Sequence, residues 1–283
     1  MERLKEIKEK GADTATPEDI PIGLGVIIDF LNSNPEAQKL IKNMQLKASF
    51  TVKDVDTYLL TVENGKSEFV KKTESDTDFK LSSSLKTITE VLIGQSDAAI
   101  EWIKGNIEIE GDFERMVDFF EIMELGYDTL GIVEPGEREV LIDAKTMRKL
   151  YNVYMEGAKD IDPNDIPLIM DIFCTFANLN AEAQQILEDE EYVVQMVLTD
   201  INKSYVVRAK DQKVSWAEES IDNPSLRFSM ALTTAADVFL SGDAAQAFLG
   251  GKIDAEGNIA EALVLNDVIT VFLDLLPFAE SPF

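Results

Sequence analysis

The chain has 283 residues, 45% of them apolar, and 26 basic against 53 acidic side chains give a net charge of −27. That length fills two domains with cores of their own. The charge excludes a nucleic-acid partner, whose phosphates need a basic surface, and argues against permanent residence on an anionic membrane.

The sequence contains no histidine, which removes the commonest general base, the commonest metal ligand and every Ser-His or Cys-His nucleophile pair. The one cysteine, Cys174, lies in the apolar run IPLIMDIFCTF and reads as a small buried hydrophobe. The start, MERLKEIKEK, lacks the apolar centre of a signal peptide. The most apolar runs, 20–31 and 263–278, are interrupted by Asp29 and by Asn266, Asp267 and Asp274, so neither spans a bilayer. A cytoplasmic protein is expected.

In chain order, residues 1–15 are charged, and Leu4 and Ile7 alone leave them as a frayed helix or tail. Thr16 and Pro17 read as the cap and first position of a helix carrying Ile20, Leu24, Ile27, Ile28 and Leu31. Asn34-Pro35 starts a second helix in the same way. The period then drops to two. Ala48, Phe50 and Val52 alternate with Lys47, Ser49, Thr51 and Lys53, and Tyr58, Leu60 and Val62 follow. Glu63-Asn64-Gly65-Lys66 predicts a hairpin. Phe69 and Val70 lie on the returning strand, Phe79 and Leu81 on a fourth, and a helix bears Leu85, Ile88, Val91 and Leu92.

Residues 97–112, DAAIEWIKGNIEIEGD, return at 243–258 as DAAQAFLGGKIDAEGN, a spacing of 146. Each copy reads as an Asp-capped short helix, a Gly stop, a strand, and a second Gly before a closing helix capped by Asp112 or Asn258. The first closing helix, 113–125, carries Met116, Phe119, Phe120 and Met123 on one face. Residues 126–162, broken by Gly126, Gly131, Pro135 and Gly136, have no counterpart after the second copy and hold a helix near 143–157. Phe30, Asn32, Asn34, Ala37 and Gln38 recur at spacing 146 as Phe176, Asn178, Asn180, Ala183 and Gln184. Through the sheet the spacing is 147, with Tyr58 and Phe69 matched by Tyr205 and Trp216. A register kept this long marks a duplication. The expected division is a charged tail over 1–15, a first domain over 16–127, a connector with a helix over 128–162, a second domain over 163–278 and a tail over 279–283.

The stretches LNSNPEAQ, FTVKDVDTYLLTVENGK, DFKLSSS and WIKGNIEIEGD resemble the sterol carrier protein type 2 family. So do NLNAEAQ, VLTDINKSYVVRAKDQK, LRFSM and FLGGKIDAEGN of the second copy. The resemblance implies two tandem α/β (α+β) domains, each a five-stranded, mostly antiparallel sheet covered by helices with an apolar tunnel between the layers. It also implies non-covalent carriage of a lipid, fatty acid, fatty acyl group, sterol or isoprenoid. The chain departs from the pattern in its duplication and in its second hairpin, Lys210-Asp211-Gln212-Lys213, which lacks the Gly.

The expected ligand-facing residues are Leu85, Ile88, Leu92, Trp102, Met116, Phe119, Phe120 and Met123 in the first copy, and Phe239, Phe248, Leu265 and Ile269 in the second. Met and Phe can line a cavity that adapts to a flexible chain; the competing reading is ordinary core packing. Met116, Phe119, Phe120 and Met123 align with Ala262, Leu265, Asn266 and Ile269, so the copies are expected to differ in cargo affinity. Access to the tunnel is expected through the helix at 87–93 and the closing helix. The acidic run Glu188-Asp189-Glu190-Glu191 lacks the spacing of a calcium loop and reads as a solvated face. Glu108 and Glu110 alternate with the apolar face and read as exposed, and Gly23 and Gly25 as helix packing. No catalytic residue, metal or cofactor is expected. The partner is a hydrophobic small molecule or lipid, with transient membrane contact and a protein partner left open. The rival reading is a protein–protein interaction or scaffold module with a filled core.

Overall fold

The computed structural model describes residues 2–130, 142–242 and 244–276. The connector positions Gly131, Pro135, Gly136 and Leu141, the expected cap Asp243 and the tail 279–283 lie outside the described residues. The chain divides into two compact units, Met1–Arg148 and Lys149–Phe283.

The first unit opens with a correction. Residues expected to fray form helix α1 (Glu2–Lys10), and Leu4 and Ile7 are both buried. They are one turn apart, so both enter one apolar cluster with Ala12 and Ile93. Arg3 holds the helix down by a two-pronged ion pair, its Nε and Nη2 donating to the Asp19 carboxylate at 2.7 and 2.9 Å. That pairing brings the Asp19 carboxyl down to about 2. Asp19 also begins α2 (Asp19–Ser33) and accepts from the Thr16 N–H and hydroxyl at 2.8 and 3.0 Å. Pro17 and Glu18 therefore form a turn, and the helix starts slightly later than the Thr16-Pro17 signal suggests. In α3 (Pro35–Ile41), Asn34 caps as expected, accepting from the Glu36 and Ala37 N–H groups.

The sheet comprises β1 (Leu46–Val52), β2 (Asp56–Glu63), β3 (Lys66–Lys71), β4 (Phe79–Ser83) and β5 (Ile107–Gly111). Its order is β3-β2-β1-β4-β5, with β1 and β4 parallel and the other pairs antiparallel. Phe50 stands opposite Tyr58 on one side and Leu81 on the other, so the alternating apolar residues share one face. Asn64 and Gly65 turn the β2–β3 hairpin with φ of 52° and 72°, the left-handed pair that a two-residue turn requires. The bare edge of β3 is engaged by Asn32 of α2, which donates to the Ser67 carbonyl and accepts from the Ser67 N–H at 2.8 and 2.9 Å. The apolar face is covered by α4 (Leu85–Leu92), α5 (Ala98–Ile103) and α6 (Phe113–Leu130). Gly23 is a packing residue, because a Cβ there would lie 2.8 Å from Leu92 Cδ1.

Helix α7 (Ala144–Glu156) contains the division between the units. The second unit continues with α8 (Ile166–Leu179), α9 (Ala181–Ile186), β6 (Tyr192–Leu198), β7 (Lys203–Lys210), β8 (Lys213–Glu218) and β9 (Leu226–Met230). It ends with α10 (Leu232–Ser241), α11 (Ala244–Leu249), β10 (Ile253–Gly257) and α12 (Ile259–Leu275). Its sheet order, β10-β9-β6-β7-β8, repeats the first with the same parallel central pair. Asn178 does for Val214 what Asn32 does for Ser67, at 2.9 and 2.7 Å. The second hairpin turns without a glycine, as Asp211 and Gln212 take φ of 50° and 57° themselves.

Residues 126–162 have no counterpart after the second copy, but their later part has one before the first. Arg3, Leu4, Ile7, Gly11, Ala12 and Pro17 recur 146 residues later as Lys149, Leu150, Val153, Gly157, Ala158 and Pro163. Leu150 and Val153 are buried like Leu4 and Ile7, and Lys149 pairs with Asp165 at 2.6 Å as Arg3 pairs with Asp19. The repeat therefore reaches back to the first residues of the chain. Among the described residues no helix is long and apolar enough to cross a membrane.

Candidate functional site

In the first unit, buried side chains of the described residues occupy the space between sheet and helices. Helical spacing puts Met116, Phe119, Phe120 and Met123 of α6 on the sheet-facing side, and all four are buried. The Phe119 ring centroid lies 5.0 Å from Phe50, 5.9 Å from Phe79 and 6.1 Å from Phe120, an aromatic cluster that occupies the centre of the layer. Trp102 packs on Phe113 at 6.0 Å, Ile88 and Leu92 are buried, and Leu85 is half-buried. The gap beside Phe120 and Met123 measures about 10 Å³, too small for more than one water.

The covering helices are also fastened. Buried Glu101 of α5 accepts from Ser96 at 2.5 Å, Asn106 at 2.7 Å and Lys104 at 2.9 Å. Burial alone would raise its carboxyl; the hydrogen bonds outweigh burial and hold it below the usual range. The Tyr127 hydroxyl of α6 donates to the Val91 carbonyl of α4 at 2.5 Å.

The second unit is hollow in the corresponding layer. A cavity of about 360 Å³ lies among α8, β6, β7, β9, β10 and the helices α10, α11 and α12. Its volume falls in the range of small-molecule sites. All four residues expected in this copy, Phe239, Phe248, Leu265 and Ile269, line it. The eight expected in the first copy do not. The floor is formed by Met196, Phe228 and Met230 of the sheet, and Met170 and Phe173 of α8 form part of the wall. Asn266 is the only polar side chain among the lining residues, and no hydrogen bond engages its amide among the described residues. Sequence reasoning aligned Asn266 with Phe120 of the first copy but did not enlist it. The signal was present: a polar residue on an otherwise apolar helical face.

The helix nearest the lip buries fewer of its residues than its counterpart in the first unit. In α5, Ala98, Ala99, Glu101, Trp102 and Ile103 are buried; in α11 only Ala247 is. Ala247 replaces Glu101, and Leu273 replaces Tyr127, so both fastenings of the first unit are missing. Phe248, Leu249, Ile259 and Leu263 are 46%, 84%, 45% and 65% exposed, forming an apolar lip continuous with the cavity lining.

Other candidate groups lie outside this chemistry. Burial pushes the Cys174 thiol up to about 12, assisted by Asp171, which leaves it protonated at neutral pH. Glu108 and Glu110 are exposed, and Glu108 pairs with Lys53 at 2.7 Å. Among the described residues no cluster of three or more acidic or thiol side chains is placed to hold a metal ion.

Residues 174–270 match the SCP-2 sterol transfer family, and residues 25–135 match the alkyl sulfatase C-terminal family. No curated protein sequence matches the chain. Among solved structures, it is similar to the UbiJ-SCP2 ubiquinone synthesis protein at 13% identity and a TM-score of 0.33, covering 41% of this chain and 94% of that one. The sterol carrier protein domain 2 of Helicoverpa armigera aligns at 22% identity and a TM-score of 0.32, covering 39% and 91%. The inverting sec-alkylsulfatase Pisa1 of a Pseudomonas species aligns at 10% identity and a TM-score of 0.32, covering 65% of this chain but 29% of its own.

Proposed function

We propose that this protein binds and carries a hydrophobic ligand without chemical change, and that the second unit, Lys149–Phe283, is the carrier. The observation that supports this most directly is the 360 Å³ cavity with its apolar lining. The match of residues 174–270 to the SCP-2 sterol transfer family supports it independently. Burial drives the binding: each methylene leaving water for the cavity contributes about 0.8 kcal/mol. Helix α11, with its single buried residue and missing fastenings, is the part that swings to admit cargo. The earlier expectation put access at α4 and the closing helix; the packing of α4 and α6 in the first unit argues for α11 of the second instead. The apolar lip meets a lipid surface transiently while cargo passes. Neither a histidine nor an ionised thiol offers a nucleophilic route, which favours carriage over catalysis.

The first unit takes the other role weighed for this sequence, an interaction or scaffold module. The observation favouring it is its filled core.

Native mass spectrometry of the full-length protein, followed by solvent extraction, tests the reading. The expected result is one lipid-sized ligand per chain, retained by the second unit after limited proteolysis. A bare protein that also fails to take up neutral fluorescent lipid probes would overturn it.

A further inference from the structure

We propose that Asn266 is the headgroup anchor of the cavity and that the cargo is an uncharged amphiphile with one hydrogen-bonding group, not a carboxylate. The inference rests on the carrier reading above and narrows it to a ligand class. Asn266 lines the cavity from α12 between Leu265 and Ile269, and its amide offers one acceptor and two donors. A hydroxyl, a primary amide or an ester carbonyl can meet that amide as donor, acceptor or both. A saturated hydrocarbon leaves it without a partner, at the cost that attends any desolvated polar group.

The same surroundings exclude a carboxylate. No cationic side chain lines the cavity, and an ionised carboxylate moved there would lose its hydration without a compensating charge. Helices α10, α11 and α12 and strand β10 carry no lysine or arginine. They contribute Asp237, Asp254, Glu256, Glu261, Asp267 and Asp274, so the field around the lip is negative. Lys252, the one basic residue between Arg227 and the end of α12, is exposed and outside the lining.

The test uses the full-length protein at pH 8 and four ligands of equal chain length, dodecan-1-ol, dodecanamide, dodecane and dodecanoate, each displacing Nile red. The alcohol and the amide are expected to bind about threefold to tenfold tighter than dodecane, the range of one net hydrogen bond. Dodecanoate is expected to bind at least about a hundredfold more weakly than the alcohol. Asn266→Leu should bring the alcohol below dodecane, because its hydroxyl then enters the cavity unpaired, and should leave dodecane bound at least as tightly as before, which also reports that the variant is folded. Dodecanoate binding as tightly as the alcohol, or a preference for the alcohol surviving in Asn266→Leu, would overturn the inference and leave the carrier reading intact. If none of the four displaces the probe, dodecane included, the carrier reading falls and the anchor with it.

Discussion

The two units share an architecture and differ in what occupies its middle layer. Phe50, Phe79, Met116, Phe119 and Phe120 of the first unit stand where the second has Met196, Leu226, Ala262, Leu265 and Asn266. The exchange is not uniformly large to small, since Leu81 and Leu92 become Phe228 and Phe239. What decides the outcome is where the bulk sits. In the first unit, rings from sheet and closing helix meet at 5.0 Å in the centre. In the second, the Phe173 and Phe239 rings meet at 5.8 Å in the cavity wall, and the space they border stays open. One scaffold can therefore be a packed core or a container, with few changes on the closing helix and the sheet beneath it.

The largest expected effect comes from carrying the first unit's bulk into the second. Ala262→Met, Leu265→Phe and Asn266→Phe together should fill the cavity and weaken Nile red binding by more than about a hundredfold, the equivalent of roughly four methylenes denied burial. Retained binding would break the comparison at its base. A smaller effect is expected from truncating the same helical position in each unit. Phe119→Ala should cost about 3–5 kcal/mol, because it opens a void in a filled core. Leu265→Ala should cost no more than about 2 kcal/mol, because its side chain already borders empty space. Hydrogen exchange over α6 and α12 of the full chain measures both, and equal losses would contradict the contrast. The smallest effect concerns the fastening of α5. Glu101→Ala leaves Ser96, Lys104 and Asn106 without their shared acceptor and should cost about 1–3 kcal/mol. Amide exchange in α5 should then approach the rate in α11. Unchanged exchange would mean that apolar packing, not this carboxylate, holds the helix.

Much of the fold was legible because its signals are local. Period-two alternation located the strands, Asn64-Gly65 the hairpin, and Asn34 and Asn180 their helix starts. The docking of α1 was not, because two apolar residues look insufficient until Ala12 and Ile93 come round to meet them. The match between α1 and α7 was obscured because Leu4 and Ile7 recur as apolar residues while other positions change character, Lys5 and Lys8 aligning with Tyr151 and Tyr154. For the site, the candidate side chains could be named, but whether they enclose space or consume it depends on volumes summed across several elements. Sequence reasoning gave both copies ligand-facing residues; seven of the eight in the first copy are buried in its own packing.

The apolar lip has a colloidal consequence. Phe248, Leu249, Ile259 and Leu263 would make two such chains adhere lip to lip, since contiguous exposed hydrocarbon is an invitation to self-association. A net charge of −27 on 283 residues works in the opposite sense, holding like molecules apart before the lips can touch. The acidity thus works to keep a chain with an open-mouthed cavity dispersed. The protection is ionic, so its range contracts from about 8 Å at physiological salt to about 3 Å at 1 M.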